Sequence, residues 1–215
     1  MLKRLAFFFI FSTSFVSAQI DYSDSWEDFF SYNNVKDFVK VDNMLYALSD
    51  NAIFTYDDTT QEIEKLSSVQ GLSGETTSAI HYSIETNRLV IGYENGLIEV
   101  VDSDGSITIS ADIVSFNQTG EKSINDIFEY QGKLYLSTSF AIVEYDITEL
   151  EFGDTFFIGN NSTDVNIHQI TVFNDRIFAA TENGIFYADS ANPNLIDFNN
   201  WNTITSANNN FKNIT

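Results

Sequence analysis

Four near-copies of one hairpin run through the chain, and they leave few folds open to it. Asn87 to Asp102, NRLVIGYENGLIEVVD, is two apolar runs broken by Glu94-Asn95-Gly96, the pattern of a tight β-hairpin. Related stretches start at Asn43, Gly132 and Asp175. Their anchors Leu45, Leu89, Leu134 and Ile177 are spaced by 44, 45 and 43 residues. The small residue at the turn recurs in step as Ala52, Gly96, Ala141 and Gly184. A fixed period of this length, carried by strands and without helical periodicity, predicts propeller blades.

The expected fold is therefore all-β: a β-propeller with four blades of four-stranded antiparallel sheet and the start of a fifth. The blades are read at about 35–75, 76–115, 123–163 and 166–206, with the next beginning at 207–215. In the first, Phe38–Val41 is the inner strand, Leu45–Ser49 and Ile53–Tyr56 the central hairpin, and Ile63–Leu66 the outer strand. In the second, Ile80–Ile84 lies inside and Ser106–Ser110 outside. Thr155–Ile158 is the outer strand of the third. The fourth has Ile170–Phe173 inside and the Trp201 segment outside. Runs such as Leu97-Ile98-Glu99-Val100-Val101 are nearly continuous in apolar character, as expected where stacked blades bury both sheet faces. Residues 19–34, where Trp26 echoes Trp201, read as a strand that closes the ring and covers an open edge. Asn213-Ile214-Thr215 fall at an inner-strand position of a fifth blade. The expectation is thus an incomplete ring, the front of a longer chain.

The N-terminus reads as a secretory signal peptide covering residues 1–18. Lys3 and Arg4 supply the positive region, Leu5–Phe11 the apolar core, and Val16-Ser17-Ala18 a small-residue site cleaved between Ala18 and Gln19. The apolar run is too short to span a bilayer, and no later run is long enough, so no transmembrane segment is expected. The protein is expected to be exported, to the periplasm or the outer membrane surface. It has no cysteine, so neither a disulfide nor a lipidated cysteine holds it. Its formal net charge of −21 repels nucleic acid and anionic lipid. That charge serves solubility, and it also suits cations or a basic partner.

Candidate chemistry is sparse. Asp102-Ser103-Asp104-Gly105 begins like a calcium loop, with Asp102 and Asp104 as ligands, but lacks the later acceptor and the terminal Glu. The same residues favour a plain turn. His81 and His168 are the only histidines, sit at inequivalent repeat positions, and have no cysteine beside them, whereas zinc needs three or four converging ligands. Both read as structural. No nucleophile-elbow motif surrounds a serine, and no glycine-rich phosphate loop is present. Asn117-Gln118-Thr119, Asn160-Asn161-Ser162 and Asn161-Ser162-Thr163 fit the glycosylation pattern and read as polar loops. Tyrosines and tryptophans read as fillers between blades. No catalytic residue, no cofactor site and no firm metal site is expected.

Gly71-Leu72-Ser73-Gly74-Glu75-Thr76, then Ile80, then the Leu89–Val100 run together resemble a two-component-regulator propeller repeat. More specifically, Trp26 to Trp201 resembles the N-terminal β-propeller of PorZ-like proteins, part of the type IX secretion machinery of Bacteroidetes. Phe30–Asn34, Leu150–Asn160 and Asn192–Asp197 carry that narrower resemblance, and the last two lie outside the repeated hairpins. The resemblance implies a non-enzymatic surface component acting beside a sortase-like protease in a complex that attaches exported cargo to lipopolysaccharide. It implies two propellers and a C-terminal module in the whole protein, with lipopolysaccharide bound by parts outside this chain, because a strongly acidic segment repels an anionic glycan. Two other readings stand beside it: the periplasmic sensor propeller of a hybrid two-component system, and a propeller-bearing polysaccharide-active enzyme.

Overall fold

A computed structural model of the protein describes residues 32–204 and 210–214. The expected signal peptide, its Ala18–Gln19 cleavage point and most of the expected ring-closing strand lie outside those residues.

Four four-stranded antiparallel sheets follow one another along the chain, each ordered as its strands occur in sequence. Blade 1 holds β1 (Val35–Val41), β2 (Met44–Ser49), β3 (Ile53–Asp57) and β4 (Ile63–Leu66). Blade 2 holds β5 (Thr77–Ser83), β6 (Arg88–Tyr93), β7 (Ile98–Val101) and β8 (Ile107–Ser110). Blade 3 holds β9 (Ile124–Tyr130), β10 (Lys133–Thr138), β11 (Ile142–Asp146) and β12 (Glu151–Phe156). Blade 4 holds β13 (Ile167–Phe173), β14 (Arg176–Thr181), β15 (Gly184–Asp189) and β16 (Asn202–Thr203). The first strands touch in succession, β1 to β5 to β9 to β13, so they form the innermost wall of a β-propeller.

The core lies between the blades. Along β6, Leu89, Ile91 and Tyr93 pack toward blade 1, while Val90 packs toward blade 3. Neighbouring residues point to opposite sheet faces, and both faces are covered. Hence the unbroken apolar run of the second hairpin, in which Ile98, Glu99 and Val100 are all fully buried. Three such layers, between successive blades, make up the hydrophobic interior.

Each inner strand begins about three residues earlier than the apolar pattern suggests. The cause is a bulge: the pairing skips one residue after Val35, Thr77, Ile124 and Ile167. The skipped residues are Lys36, Ser78, Asn125 and His168, all polar, and they hide the alternation. The outer strand of blade 3 also differs from expectation. It is Glu151–Phe156, not Thr155–Ile158, because a solvent-facing edge strand tolerates Glu151 and Asp154. Ile158, beyond it, is buried against blade 4. A short helix, α1 (Asp112–Ser115), and a 3₁₀ turn at Phe198–Asn200 were not foreshadowed by any periodic pattern.

Three of the four hairpins close alike. Ser49 Oγ donates to Ala52 O at 2.8 Å, Thr138 Oγ1 to Ala141 O at 2.7 Å, and Thr181 Oγ1 to Gly184 O at 2.8 Å. Blade 2 departs from them. Gly92 pairs with Ile98, whereas Leu48 pairs with Ile53 and Ser137 with Ile142, so the second hairpin carries one extra residue. The wider loop needs Gly96: its φ is +87°, and an added Cβ would come within 2.5 Å of Ile113 on α1.

Residues 210–214 lie along β13, where the next inner strand is expected. Phe211 N donates to Thr181 O at 3.0 Å, and Ile214 N donates to Gln169 Oε1 at 2.8 Å.

Candidate functional site

The two stretches outside the repeated hairpins meet. Glu151–Phe156 forms the edge of blade 3, and the β15–β16 connection of blade 4 folds over beside it. That connection is locked by its own side chains. Asp189 Oδ1 accepts from Ala191 N at 2.9 Å, Asn192 Oδ1 from Asn194 N at 2.9 Å, and Asp197 Oδ1 from Asn199 N at 3.0 Å. These are Asx turns, the reason Asn and Asp crowd this segment. Trp201 anchors the end: its ring is buried against Phe156, and its Nε1 donates to Leu195 O at 2.9 Å.

Between edge and connection lies a polar cleft of about 260 Å³. Tyr130, Lys133, Tyr135, Glu144 and Asp154 face it from blade 3, and Asn192 and Pro193 from blade 4. Glu144 is almost wholly buried, and its Oε2 accepts from Lys133 Nζ at 2.9 Å. Burial, and next the neighbouring Glu144, push the Tyr135 hydroxyl up to about 12. The cleft therefore offers aromatic edges, an ammonium, a carboxylate and amide groups on a rigid frame. Such groups bind and orient a polar chain segment; no serine–histidine pair faces it.

The residues singled out in the sequence lie elsewhere. Asp102 Oδ1 accepts from Arg88 Nε at 2.7 Å, and Arg88 also donates to Thr148 O at 3.1 Å, tying blade 2 to blade 3. Asp104 Oδ1 accepts from Ser106 N at 2.9 Å, and hydrogen bonds from Ser106 hold its carboxyl below the usual range. The two aspartates thus do separate work at one turn. Among the described residues, no three His, Cys, Asp or Glu gather in a way that could hold a metal ion.

His81 Nε2 lies 2.9 Å from Glu129 Oε2, and Ser83 Oγ donates to Glu129 Oε1 at 2.8 Å. Serine and histidine thus share one carboxylate, whereas activating a serine needs the base on the hydroxyl itself. His168 Nε2 lies 2.9 Å from Asn210 Oδ1.

Two buried groups escaped the sequence reading. Glu99, on β7, has no exposed surface, accepts from Ser73 N at 2.8 Å, and takes a short hydrogen bond from the Tyr93 hydroxyl. Burial, and then Glu99, raise the Tyr93 hydroxyl well above the ordinary phenol range. The trio pins the Gly71–Glu75 connection from blade 1 onto blade 2. A signal for it existed: anchor to closing aspartate is 12 residues in Leu45–Asp57, Leu134–Asp146 and Ile177–Asp189, but 13 in Leu89–Asp102. The second group is Asp126 on β9. Burial, and then the charge of Asp37, push it up to about 6, against backbone hydrogen bonds at Ile170 and Ile127.

The family described as the type IX secretion PorZ N-terminal β-propeller domain matches residues 45–202. No curated protein sequence matches the chain. Among solved structures it is similar to PorZ of Porphyromonas gingivalis, described as an essential bacterial surface component of the type IX secretion system. The TM-score is 0.68 and the identity 21%, over 79% of this chain and 22% of that one. It is also similar to the extracellular domain of a putative hybrid two-component system of B. thetaiotaomicron, with TM-score 0.61 and 18% identity, over 74% of this chain and 22% of that one. A putative one-component system of the same organism gives TM-score 0.65 and 14% identity, over 86% and 25%. The chain thus spans about a fifth to a quarter of the length of these proteins, and at such identities the likeness speaks to fold.

Proposed function

This chain belongs to the PorZ N-terminal β-propeller family, and on that premise we propose that it is a non-enzymatic docking segment of a type IX secretion and attachment complex, exported to the cell surface. The family match over residues 45–202 carries the reading. The cleft between blades 3 and 4 supports it, because the two non-repeated stretches converge there on a rigid polar surface suited to holding a partner's chain. The proposed partner is a secretion-complex protein such as a sortase-like protease. Lipopolysaccharide is proposed to bind parts of the protein outside this chain, since a net charge of −21 opposes an anionic glycan.

Two measurements test this. The 215-residue chain, titrated with purified lipopolysaccharide at low salt and without divalent cations, is expected to show no binding; tight binding would overturn the division of labour. In cells, Asp154→Lys together with Tyr130→Ala is expected to reduce co-purification of the protease and attachment of cargo while leaving the protein folded. Unchanged co-purification would move the docking surface away from the cleft.

A further inference from the structure

The bulge residue at the start of each inner strand works as a latch to the next blade. Lys36 Nζ donates to Thr77 O of blade 2 at 2.8 Å and lies 3.4 Å from both Asp50 and Glu94. Asn125 Nδ2 donates to Ile167 O of blade 4 at 2.7 Å and to Asn166 Oδ1 at 2.9 Å. His168 reaches forward to Asn210. Blade 2 breaks the series. Its bulge residue is Ser78, too short to cross to blade 3, and its hydroxyl is buried without a hydrogen-bond partner.

Where the missing latch would run there is a cavity of about 510 Å³ at the mouth of the channel. Lys36, Ser78, Glu94, Glu121, Ser123 and Asn125 border it. Its two carboxylates, Glu94 and Glu121, face one ammonium, and that ammonium is already committed to Thr77 O, Asp50 and Glu94. The neighbouring slot displays what suits such a place. There, a lysine ammonium sits between a strand carbonyl and two hairpin carboxylates.

We propose that this cavity receives a lysine or arginine side chain presented by a protein partner, its cationic head standing where Lys36 stands one blade earlier. Charge complementarity favours it, both locally and through the whole-chain charge of −21. The volume exceeds one side chain, so flanking backbone enters with it. A bare metal ion fits less well, because no three potential metal-ligating side chains converge among the described residues. The inference rests on the docking reading only in taking the occupant to be a protein; the cation slot itself stands on the repeat.

The test uses the 215-residue protein at low salt and capped pentapeptides with a central lysine, arginine or norleucine, followed by amide NMR. Lysine and arginine peptides are expected to shift Ser78, Ser123 and Asn125, and the norleucine peptide to leave them unmoved. Ser78→Lys, which supplies the latch internally, is expected to weaken peptide binding about tenfold and to raise Tm. Should that variant not fold, Ser78→Asn, the latch of blade 3, is expected to weaken it in the same direction. Glu121→Gln is expected to cost about threefold, and Asp104→Asn, on the outer edge, nothing. Norleucine binding as well as lysine, or Ser78→Lys and Ser78→Asn binding like the parent, overturns the proposal. Equal losses from Glu121→Gln and Asp104→Asn would also overturn it, by reducing the effect to diffuse surface charge. Failure here leaves cargo attachment and protease co-purification untouched, so the two readings fail separately.

Discussion

Blades 2 and 3 solve one packing problem in two ways. At the position that faces the preceding blade, blade 3 places Val143 and blades 1 and 4 place Phe54 and Phe186; blade 2 places Glu99. In blade 3 the layer is dry, with Val143 packed among Ile98, Leu136 and Tyr145. In blade 2 the carboxylate is equally shielded but bonded, one oxygen to Ser73 N and the other to the Tyr93 hydroxyl. A buried acid is tolerated only when its acceptors are met. The extra residue in the second hairpin accompanies this arrangement, with Tyr93 standing where the other hairpins have Ser49, Thr138 and Thr181. Blade 3 keeps its own glutamate, Glu144, one residue later, where it serves the cleft instead. Similar strand geometry thus yields an internal clamp in one blade and a binding surface in the next.

The sharpest way to break that comparison is to move the clamp. Val143→Glu puts the blade 2 carboxylate into blade 3, where neither a tyrosine hydroxyl nor a connection N–H is placed to meet it. The cost is expected to be about 3–5 kcal/mol, read as a collapse of the urea midpoint or loss of cooperative unfolding. Tyr93→Phe takes one partner from the existing clamp. It is expected to cost about 2–3 kcal/mol, with faster hydrogen exchange confined to Gly71–Glu75 if the clamp holds that connection.

Gly92→Ala probes the seam between the two blades. An added Cβ would stand 2.8 Å from Ile124 Cγ2 and 3.0 Å from its Cβ. Calorimetry is expected to show a loss on the order of 1–2 kcal/mol as the blades are wedged apart. A smaller and pH-dependent effect belongs to Asp126. Its folded value of about 6 lies above the ordinary carboxylate value of about 3.9. Between those values the folded protein keeps a proton that the unfolded chain releases, so this group lowers stability as pH rises through that window. Asp126→Asn should therefore gain about 1–2 kcal/mol over the parent at pH 7 and almost nothing at pH 4. An equal gain at both values would assign the effect to packing.

Much of this architecture was open to a reader of the sequence because β-propellers write their repeat in small and apolar residues. The anchors Leu45, Leu89, Leu134 and Ile177 all became second-strand residues facing an interblade layer, and the near-continuous Leu97–Val101 run was a strand buried on both faces. The polar starts of the inner strands were not legible as strand. A bulge breaks the period of two, and Lys36, Ser78, Asn125 and His168 look like loop until their partners in the following blade are seen. The cleft was half legible. Leu150–Asn160 and Asn192–Asp197 stood out as departures from the repeat, but only the fold sets them face to face across some 40 residues of chain, a separation no local pattern spans.

Periodicity is a property of nearest neighbours along the chain, so the sequence by itself determined the repeat, the strand content and the interblade core. Buried polar partnerships join residues from different blades, and tertiary structure alone decided them. Ser73 with Tyr93 and Glu99, Arg88 with the blade 3 connection, and Lys36 with Thr77 are contacts whose free energy exists only once the blades are stacked and water is gone from between them. The one latch the stacking leaves unmade, at Ser78, is invisible in composition and plain in space.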